Sequence, residues 1–247
     1  MEIRELVGQK YAVWIEIFDE VNNLALERQH EIEIHPEIPT EMYGAALYAR
    51  TITSTQAAVL LLEHGLLAQA RTVLRAALET LFALCAIVAK PALTPKMLDS
   101  HEVDKRRIAQ RMRRWNAPDL KAAALANTSP EELDSYIASK AQDQNVYNNA
   151  VAADMEDWYS TLYMLLSFSA HSAVSDLASH LVLDDQGQVV EFKNEPEIEG
   201  QISTWTYSVE IQLKALQAVA TLFKLDTATI EVLVAKFKSA VDTIVGD

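Results

Sequence analysis

Apolar residues recur along most of this chain with the 3.6-residue period of an amphipathic helix. Breaker residues and polar stretches divide the pattern into separate segments. The predicted helices cover about residues 2–28, 40–63, 66–89, 94–115, 118–126, a stretch that begins at Ser129, 151–180, 199–224 and 227–245. The segments at 66–89 and 151–180 are the most apolar, so we expect both in the middle of the fold.

Two shorter stretches lack the helical period. The polar run QDQNVYNN at 142–149 predicts a loop. The run LVLDDQGQVVEF places two apolar stretches around a Gly-containing turn, which predicts a β-hairpin. The predicted fold class is therefore all-α: an antiparallel bundle of about six to eight helices with one small β-hairpin near residues 181–192.

The length of 247 residues fits a single helical domain over 1–247. Within that domain, the N-terminal helix at 1–30 is a candidate for a peripheral position, and residues 181–198 form an excursion from the bundle. Half of the residues are hydrophobic, and the chain has only six Gly and seven Pro. This composition supports a sizeable core and argues against a β-sandwich or disorder.

Cellular location is predicted from three features. The single cysteine, Cys85, lies in an apolar run and has no partner for an internal disulfide, which favours a reducing cytoplasm. The N-terminus lacks the pattern of a signal peptide. No uninterrupted apolar run reaches the roughly 18 residues of a membrane span. We therefore expect a cytoplasmic protein without a membrane partner.

The formal net charge of −14 disfavours nucleic-acid binding by the whole surface. The charge is uneven, however, because residues 96–114 hold seven basic and three acidic residues. A local basic face indicates an anionic partner such as RNA or a nucleotide. The candidate contacts lie in the helix at 105–114: Arg106, Arg107, Arg111 and Arg114. The alternative is a solvated helix that balances acidic neighbours.

Two polar triplets interrupt the most apolar helical segments. They are Arg71, Arg75 and Glu79 in one segment, and Tyr163, Ser167 and His171 in the other. Each triplet has i, i+4, i+8 spacing, so each occupies one side of its helix. A charge in apolar surroundings must be paired or it costs several kcal/mol. We therefore expect the two stripes to meet in a shared cluster, which is the best candidate for a site.

Each stripe also has a purely structural interpretation. Arg75 and Glu79 are four residues apart, so they can form an intrahelical ion pair that fixes the register of the helix. His171 can be a hydrogen-bonded core histidine rather than a proton carrier that works near neutral pH. Spacing alone leaves both alternatives open.

Several kinds of site are disfavoured. Ser167 and His171 lack the Gly-x-Ser-x-Gly turn and the Gly-rich segment that a serine hydrolase needs. A carboxylate-bridged metal centre needs two Glu-x-x-His pairs, and only Glu27–His30 matches. No zinc-ligand spacing and no Gly-rich phosphate-binding loop is present. The sequence therefore predicts neither a metal nor a cofactor.

The stretches ARTVLRAALETLF and YSTLYMLLSFSAHSAV, with the hairpin that follows, resemble a bacterial all-helical family of unknown function. That family carries Leu-Arg-x-x-x-Glu early and Tyr-x-x-x-Ser-x-x-x-His late, and the resemblance spans about residues 40–200. The family is similar to the higher-eukaryote and prokaryote nucleotide-binding (HEPN) helical domains, many of which are metal-independent ribonucleases of toxin–antitoxin and phage-defence systems. Their active Arg and His usually lie on one helix, whereas the nearest match here, Arg28 to His35, runs into Pro36.

The resemblance implies an RNA- or nucleotide-directed enzyme of the defence type. On that hypothesis, His171 is the general acid/base, Arg75 stabilises phosphate charge and Glu79 orients Arg75. Ser167 belongs to the same catalytic group.

Arg71 and Tyr163 would then contact the substrate.

The rival hypothesis is a non-enzymatic helical module that binds a protein or a small ligand, with a polar cluster that serves only the fold. Solvent access to Arg75 and His171 discriminates between the two. An outer apolar face is compatible with a homodimer under either hypothesis.

Overall fold

The computed structural model describes residues 2–114, 129–141, 144–170, 178, 180–193 and 195–246. The helices are α1 (Ile3–Lys10), α2 (Ala12–Gln29), α3 (Pro39–Glu63), α4 (Leu67–Ala89), α5 (Thr94–Arg114), α6 (Pro130–Ala138), α7 (Val146–Ala152), α8 (Glu156–Trp158, Tyr159–Tyr163 and Met164–Ala170 in direct succession), α9 (Ile202–Phe223) and α10 (Ala228–Gly246). The strands are β1 (Leu181–Leu183) and β2 (Val189–Phe192). The predicted all-α class with a small hairpin is confirmed.

Helix α4 lies at the centre of the bundle, with α3, α7, α8 and α9 packed around it. Its side chains Leu74, Leu78, Leu81 and Phe82 have no exposed surface. Burying each of them stabilises the fold by about 1.5–3 kcal/mol. The prediction that the segment at 66–89 is central is therefore confirmed.

Among the described residues, α4 is also the one helix long and apolar enough to cross a membrane. Half of its most apolar stretch is buried inside the bundle. Length and hydropathy are shared by core helices and membrane spans, so they are weak evidence for a span.

Helix α8 is less central than its sequence predicts. It buries Leu162 and Leu166 but exposes Met164, Leu165 and Phe168 on its outer side. The second central position belongs instead to α9, which packs on α2, α3 and α4.

A buried amide network ties α9 to its neighbours. The Gln212 amide nitrogen donates to Thr55 Oγ1 at 2.8 Å and to Asn22 Oδ1 at 3.2 Å. The network therefore joins α9 to α3 and α2. Because hydrogen bonds buried from solvent must stay paired, they fix the relative positions of these helices.

The predicted N-terminal helix is divided at Tyr11, where the backbone leaves the helical region. The Tyr11 hydroxyl donates to the main-chain oxygen of Ile198 at 2.7 Å, which links this break to the loop before α9. Beyond the break, α2 buries Trp14, Ile17 and Val21 in the main core.

The region before α8 also differs from the sequence prediction. Part of the predicted loop at 142–149 is helix α7, whose first turn is capped by the Asn145 side chain. The chain then turns at Asp154, where φ is +58°. The continuous helix of this predicted segment therefore begins at Glu156, and residues 171–177 and 179 of the segment lie outside the described residues.

Helices α5 and α6 pack against each other and form a unit that we call the basic arm. The arm has a small core of its own, made by Ala109, Met112 and Leu133. The predicted capping box is confirmed: Ser129 accepts from the Glu132 amide, and Glu132 accepts from the Ser129 amide. The short helix predicted at 118–126 lies outside the described residues.

The predicted hairpin at 181–192 is present as an antiparallel pair in which Leu181 faces Phe192 and Leu183 faces Val189. The Asp184 carboxylate accepts from the amides of Gln186 and Gln188, which closes the turn. Phe192 is 78% exposed, so the hairpin does not share the main core.

We expect replacement of Gly65 by alanine to destabilise the fold more than replacement of Gly200. Both glycines have φ of +72°, a conformation that costs alanine about 1–2 kcal/mol. A Cβ on Gly65 would also lie 2.6 Å from Pro196 Cβ, whereas a Cβ on Gly200 meets only Glu197 Oε1 at 3.9 Å. That overlap adds about 1–3 kcal/mol. Urea unfolding of both variants measures the difference, and equal losses would contradict this account.

Candidate functional site

Helices α4 and α8 pack side by side and turn their polar stripes towards each other. Arg75 and Glu79 are one turn apart on α4, and Tyr163 and Ser167 are one turn apart on α8. These four side chains form one hydrogen-bonded group, which we call the Arg75 cluster.

The Arg75 guanidinium is the centre of the cluster. Its Nε donates to Ser167 Oγ at 3.0 Å, and its Nη2 donates to the Tyr163 hydroxyl at 2.5 Å. The same Nη2 lies 3.0 Å from Glu79 Oε1. The guanidinium carbon is also 4.8 Å from the centre of the Tyr163 ring, so the ring adds a cation–π contact.

The hydroxyl protons of the cluster are committed to acceptors inside it. Tyr163 donates to Glu79 Oε1 at 3.0 Å, and Ser167 donates to the main-chain oxygen of Tyr163 at 2.7 Å. Ser167 therefore has no base beside it among the described residues. A serine nucleophile would need one.

An aromatic wall supports the cluster from the α8 side. The Tyr159 and Tyr163 rings stack with their centres 4.9 Å apart. Tyr147 and Phe82 flank this pair at 5.2 Å and 6.3 Å. The residues from Tyr159 to Tyr163 form a π-helical turn. Such turns are rare and occur frequently at functional sites.

The cluster is only partly shielded from water. The side chain of Arg75 is 22% exposed and that of Glu79 is 34% exposed. Glu79 also lines a shallow depression of about 420 Å³ together with Tyr43, Arg50 and Val146. The described structure therefore leaves the cluster open to solvent.

Electrostatics in the cluster favour the neutral form of its tyrosine. Burial raises the pKa of Tyr163 above the ordinary value of 10, and the hydrogen bond to the Glu79 carboxylate raises it further. Arg75 acts on that pKa in the opposite direction. Tyr163 is therefore protonated at neutral pH and serves as a donor.

Two of the predicted site residues do not join the cluster. Arg71 lies one turn before Arg75 on α4, but its Nε donates to Thr204 Oγ1 of α9 at 3.3 Å and not to the cluster. It lines a separate cleft with Phe168, His180 and Glu197. His171 lies outside the described residues.

The cations of the basic arm are largely engaged within the arm. Arg106 donates to the main-chain oxygen of Ser139 at 2.5 Å, and Arg107 lies 3.4 Å from Asp104. Arg111 and Arg114 are exposed at the end of α5.

The arm also carries its own counter-charges. Arg113 pairs with Asp134 on α6, and Lys105 pairs with Glu102 at 2.9 Å. The first turn of α6 adds Glu131 and Glu132. This arrangement matches the solvated, self-balancing helix that the sequence left open as an alternative.

The described residues contain no group of three or more His, Cys, Asp or Glu side chains that could hold a metal ion. Burial raises the pKa of Cys85 to about 12, so its thiol is not a nucleophile near neutral pH.

Several residues around the site were missed by sequence reasoning. Tyr159 is four residues before Tyr163, so the same i, i+4 rule would have extended the stripe to it. Arg50, Thr204 and Glu197 come from distant parts of the chain. No local spacing signals their approach.

The fold and the cluster define a helical-bundle protein with a polar site between the central helix α4 and its neighbour α8. A family model covers residues 41–188, and the chain belongs to that family, which is described as a family of unknown function, DUF5677. The matched region contains all four residues of the Arg75 cluster. The resemblance to an uncharacterised family is therefore confirmed, while the more distant likeness to HEPN domains stays a prediction. Comparison with curated proteins and with solved structures gave no match.

We expect the change Tyr163→Phe to lower the free energy of unfolding by about 1–3 kcal/mol. It removes the hydroxyl between Arg75 and Glu79 and leaves partly buried charge with fewer partners. Tyr147→Phe is the matched control, because its hydroxyl bonds the exposed Glu156 at 2.6 Å. That control should change stability by less than about 0.5 kcal/mol. Urea unfolding at pH 7 compares the two, and a larger loss in the control would contradict the role of the cluster.

Proposed function

We propose that this protein binds RNA or a nucleotide at the Arg75 cluster and acts on it with its own side chains. The observation that carries the proposal is the state of Arg75. Its Nε and Nη2 are fixed by Ser167, Tyr163 and Glu79, and the side chain is still 22% exposed. Nη1 has no partner among the described residues. A guanidinium held in this way is pre-organised to bind one phosphate oxygen.

The roles follow from position. Arg75 stabilises phosphate charge, and Glu79 holds Arg75 in place from the next turn of α4. Tyr163 and Ser167 accept from the guanidinium and orient it. His171 is four residues after Ser167 in the sequence, and we assign it the role of general acid/base.

Contacts to a longer RNA fall to the basic arm. Of the four arginines predicted as contacts, Arg111 and Arg114 are exposed and belong to none of the ion pairs described above for the arm. Arg106 and Arg107 would first have to leave Ser139 and Asp104. We therefore expect the arm to make a small electrostatic contribution, from two cations.

The central test is cleavage of a fluorescently labelled single-stranded RNA by the purified protein. We expect His171→Ala to slow cleavage by about 10²–10⁴-fold, because it removes the proton carrier. Arg75→Gln should slow it as well while weakening RNA binding. His30→Ala is the control, since His30 is an exposed residue at the end of α2. Circular dichroism verifies folding, and unchanged cleavage by folded His171→Ala would contradict the assignment.

The role of the arm is tested by the salt dependence of RNA binding. Each phosphate contact adds about 0.7 to the slope of log affinity against log salt for single strands. Replacing Arg111 and Arg114 together by glutamine should therefore reduce the slope by about 1.4. The control replaces Lys214 and Lys238, which are exposed on α9 and α10. Equal slopes in wild type and the arginine variant would remove the arm from the proposal.

The second candidate is a non-enzymatic ligand-binding module. It is favoured by the hydrogen bonds in which Ser167 and Tyr163 already donate their hydroxyl protons to acceptors inside the cluster. This candidate predicts RNA or nucleotide binding that depends on Arg75, no cleavage, and no effect of His171→Ala on binding.

A further inference from the structure

A second cavity lies at the N-terminal end of α4 and shares no lining residue with the depression at Glu79. We call it the side cleft. It has a volume of about 450 Å³ and is lined by the turn at 65–69, by Arg71, by Leu165 and Phe168 of α8, by His180, and by the loop at 195–197. Small-molecule sites usually have volumes of about 300–1,000 Å³.

The loop that closes the side cleft is fixed at three points. The Glu197 amide donates to the Gly65 main-chain oxygen at 2.8 Å. The Gln201 side chain donates to the Glu197 main-chain oxygen at 2.5 Å. The Tyr11 hydroxyl donates to the main-chain oxygen of Ile198 at 2.7 Å. The rim is therefore held in place before any ligand arrives, which lowers the entropic cost of binding.

The charges in the cleft are of both signs. Arg71 is held by one hydrogen bond to Thr204, and its Nη groups have no partner among the described residues. Glu195 and Glu197 also line the cleft, and their carboxylates take part in no described hydrogen bond or ion pair. Charged groups without a partner among the described residues are available to a ligand that carries complementary charges.

Between these charges the wall is apolar. Leu66, Leu165 and Phe168 contribute, and Phe168 is 49% exposed although it lies on a helix next to the core. An aromatic or aliphatic group placed here would remove that surface from water.

We propose that the side cleft binds a small zwitterionic ligand with an apolar body, of the hydrophobic dipeptide class. The carboxylate pairs with Arg71, the ammonium group pairs with Glu195 and Glu197, and the side chain packs on Phe168. A polyanion is disfavoured because the described lining residues contribute two carboxylates and one guanidinium. The inference does not depend on the RNA proposal, since it uses none of the four residues of the Arg75 cluster.

The test is isothermal titration calorimetry of the full-length protein with alanyl-phenylalanine and its two capped forms. The N-acetylated form lacks the ammonium group, and the C-terminal amide lacks the carboxylate. We expect the free dipeptide to bind at least about tenfold more tightly than either capped form, because each cap removes one charge-assisted interaction.

Variants assign each end of the ligand. Arg71→Gln should abolish the preference over the amide and keep the preference over the acetylated form. Replacing Glu195 and Glu197 by glutamine should do the reverse. The controls are Arg50→Gln, which lies in the depression at Glu79, and Glu199→Gln, which pairs with Lys10 outside the cleft.

Phe168→Ala supplies an independent variant if Arg71→Gln unfolds, because Phe168 is half-exposed. It should weaken all three dipeptides by about the same factor. The proposal is overturned if the free dipeptide shows no saturable binding at millimolar concentration, if the capped forms bind equally well, or if the controls change affinity as much as the cleft variants do.

Discussion

A charged group inside an apolar bundle needs hydrogen-bond or ion-pair partners close to it. The Arg75 guanidinium imposes this requirement on the packing of the helices around it. Removing one partner of a largely buried charge costs more than the pair itself contributes. Helix α8 therefore has to approach α4 with Tyr163 and Ser167 facing inward. The apolar sides of α4 are free to bury Leu74 and Leu78 against the other helices. The burial of apolar side chains and the hydrogen bonding of Arg75 thus favour the same arrangement of helices.

The Arg75 cluster and the side cleft differ in how much of each lies within the residues that the family model covers. The Arg75 cluster lies wholly within residues 41–188, the part of the chain that the family model covers. The side cleft also needs Glu195, Glu197 and Thr204, which follow that part. A feature shared by the family is therefore better sought at the cluster. Most of the side cleft lies within that part of the chain too, but the loop at 195–197 and Thr204 of α9 complete it from outside.

Sequence reasoning was most successful where a single helix carries the signal. The i, i+4 spacing of Arg75 and Glu79 corresponds to an ion pair with N and O 3.0 Å apart. It was wrong where tertiary contacts interrupt a helix, as at Tyr11, whose hydroxyl is held by Ile198. Spacing placed Arg71 in one cluster with Arg75, but the Arg71 guanidinium donates to Thr204 of α9 instead. The sequence around Arg71 gives no sign that a residue so distant in the chain lies beside it in the fold.

The π-helical turn decides which way the two ends of α8 face. A π turn accommodates one residue more than an α turn over about the same rotation, whereas each residue of an α-helix advances the side chains by about 100°. If the residues from Tyr159 to Tyr163 became α-helical at the same chain length, Tyr159 would rotate by about that angle relative to Ser167. The stacked tyrosines and the Arg75 contacts would then no longer share one face. The site can therefore be lost through a change in backbone hydrogen bonding, with every side chain of the cluster still present.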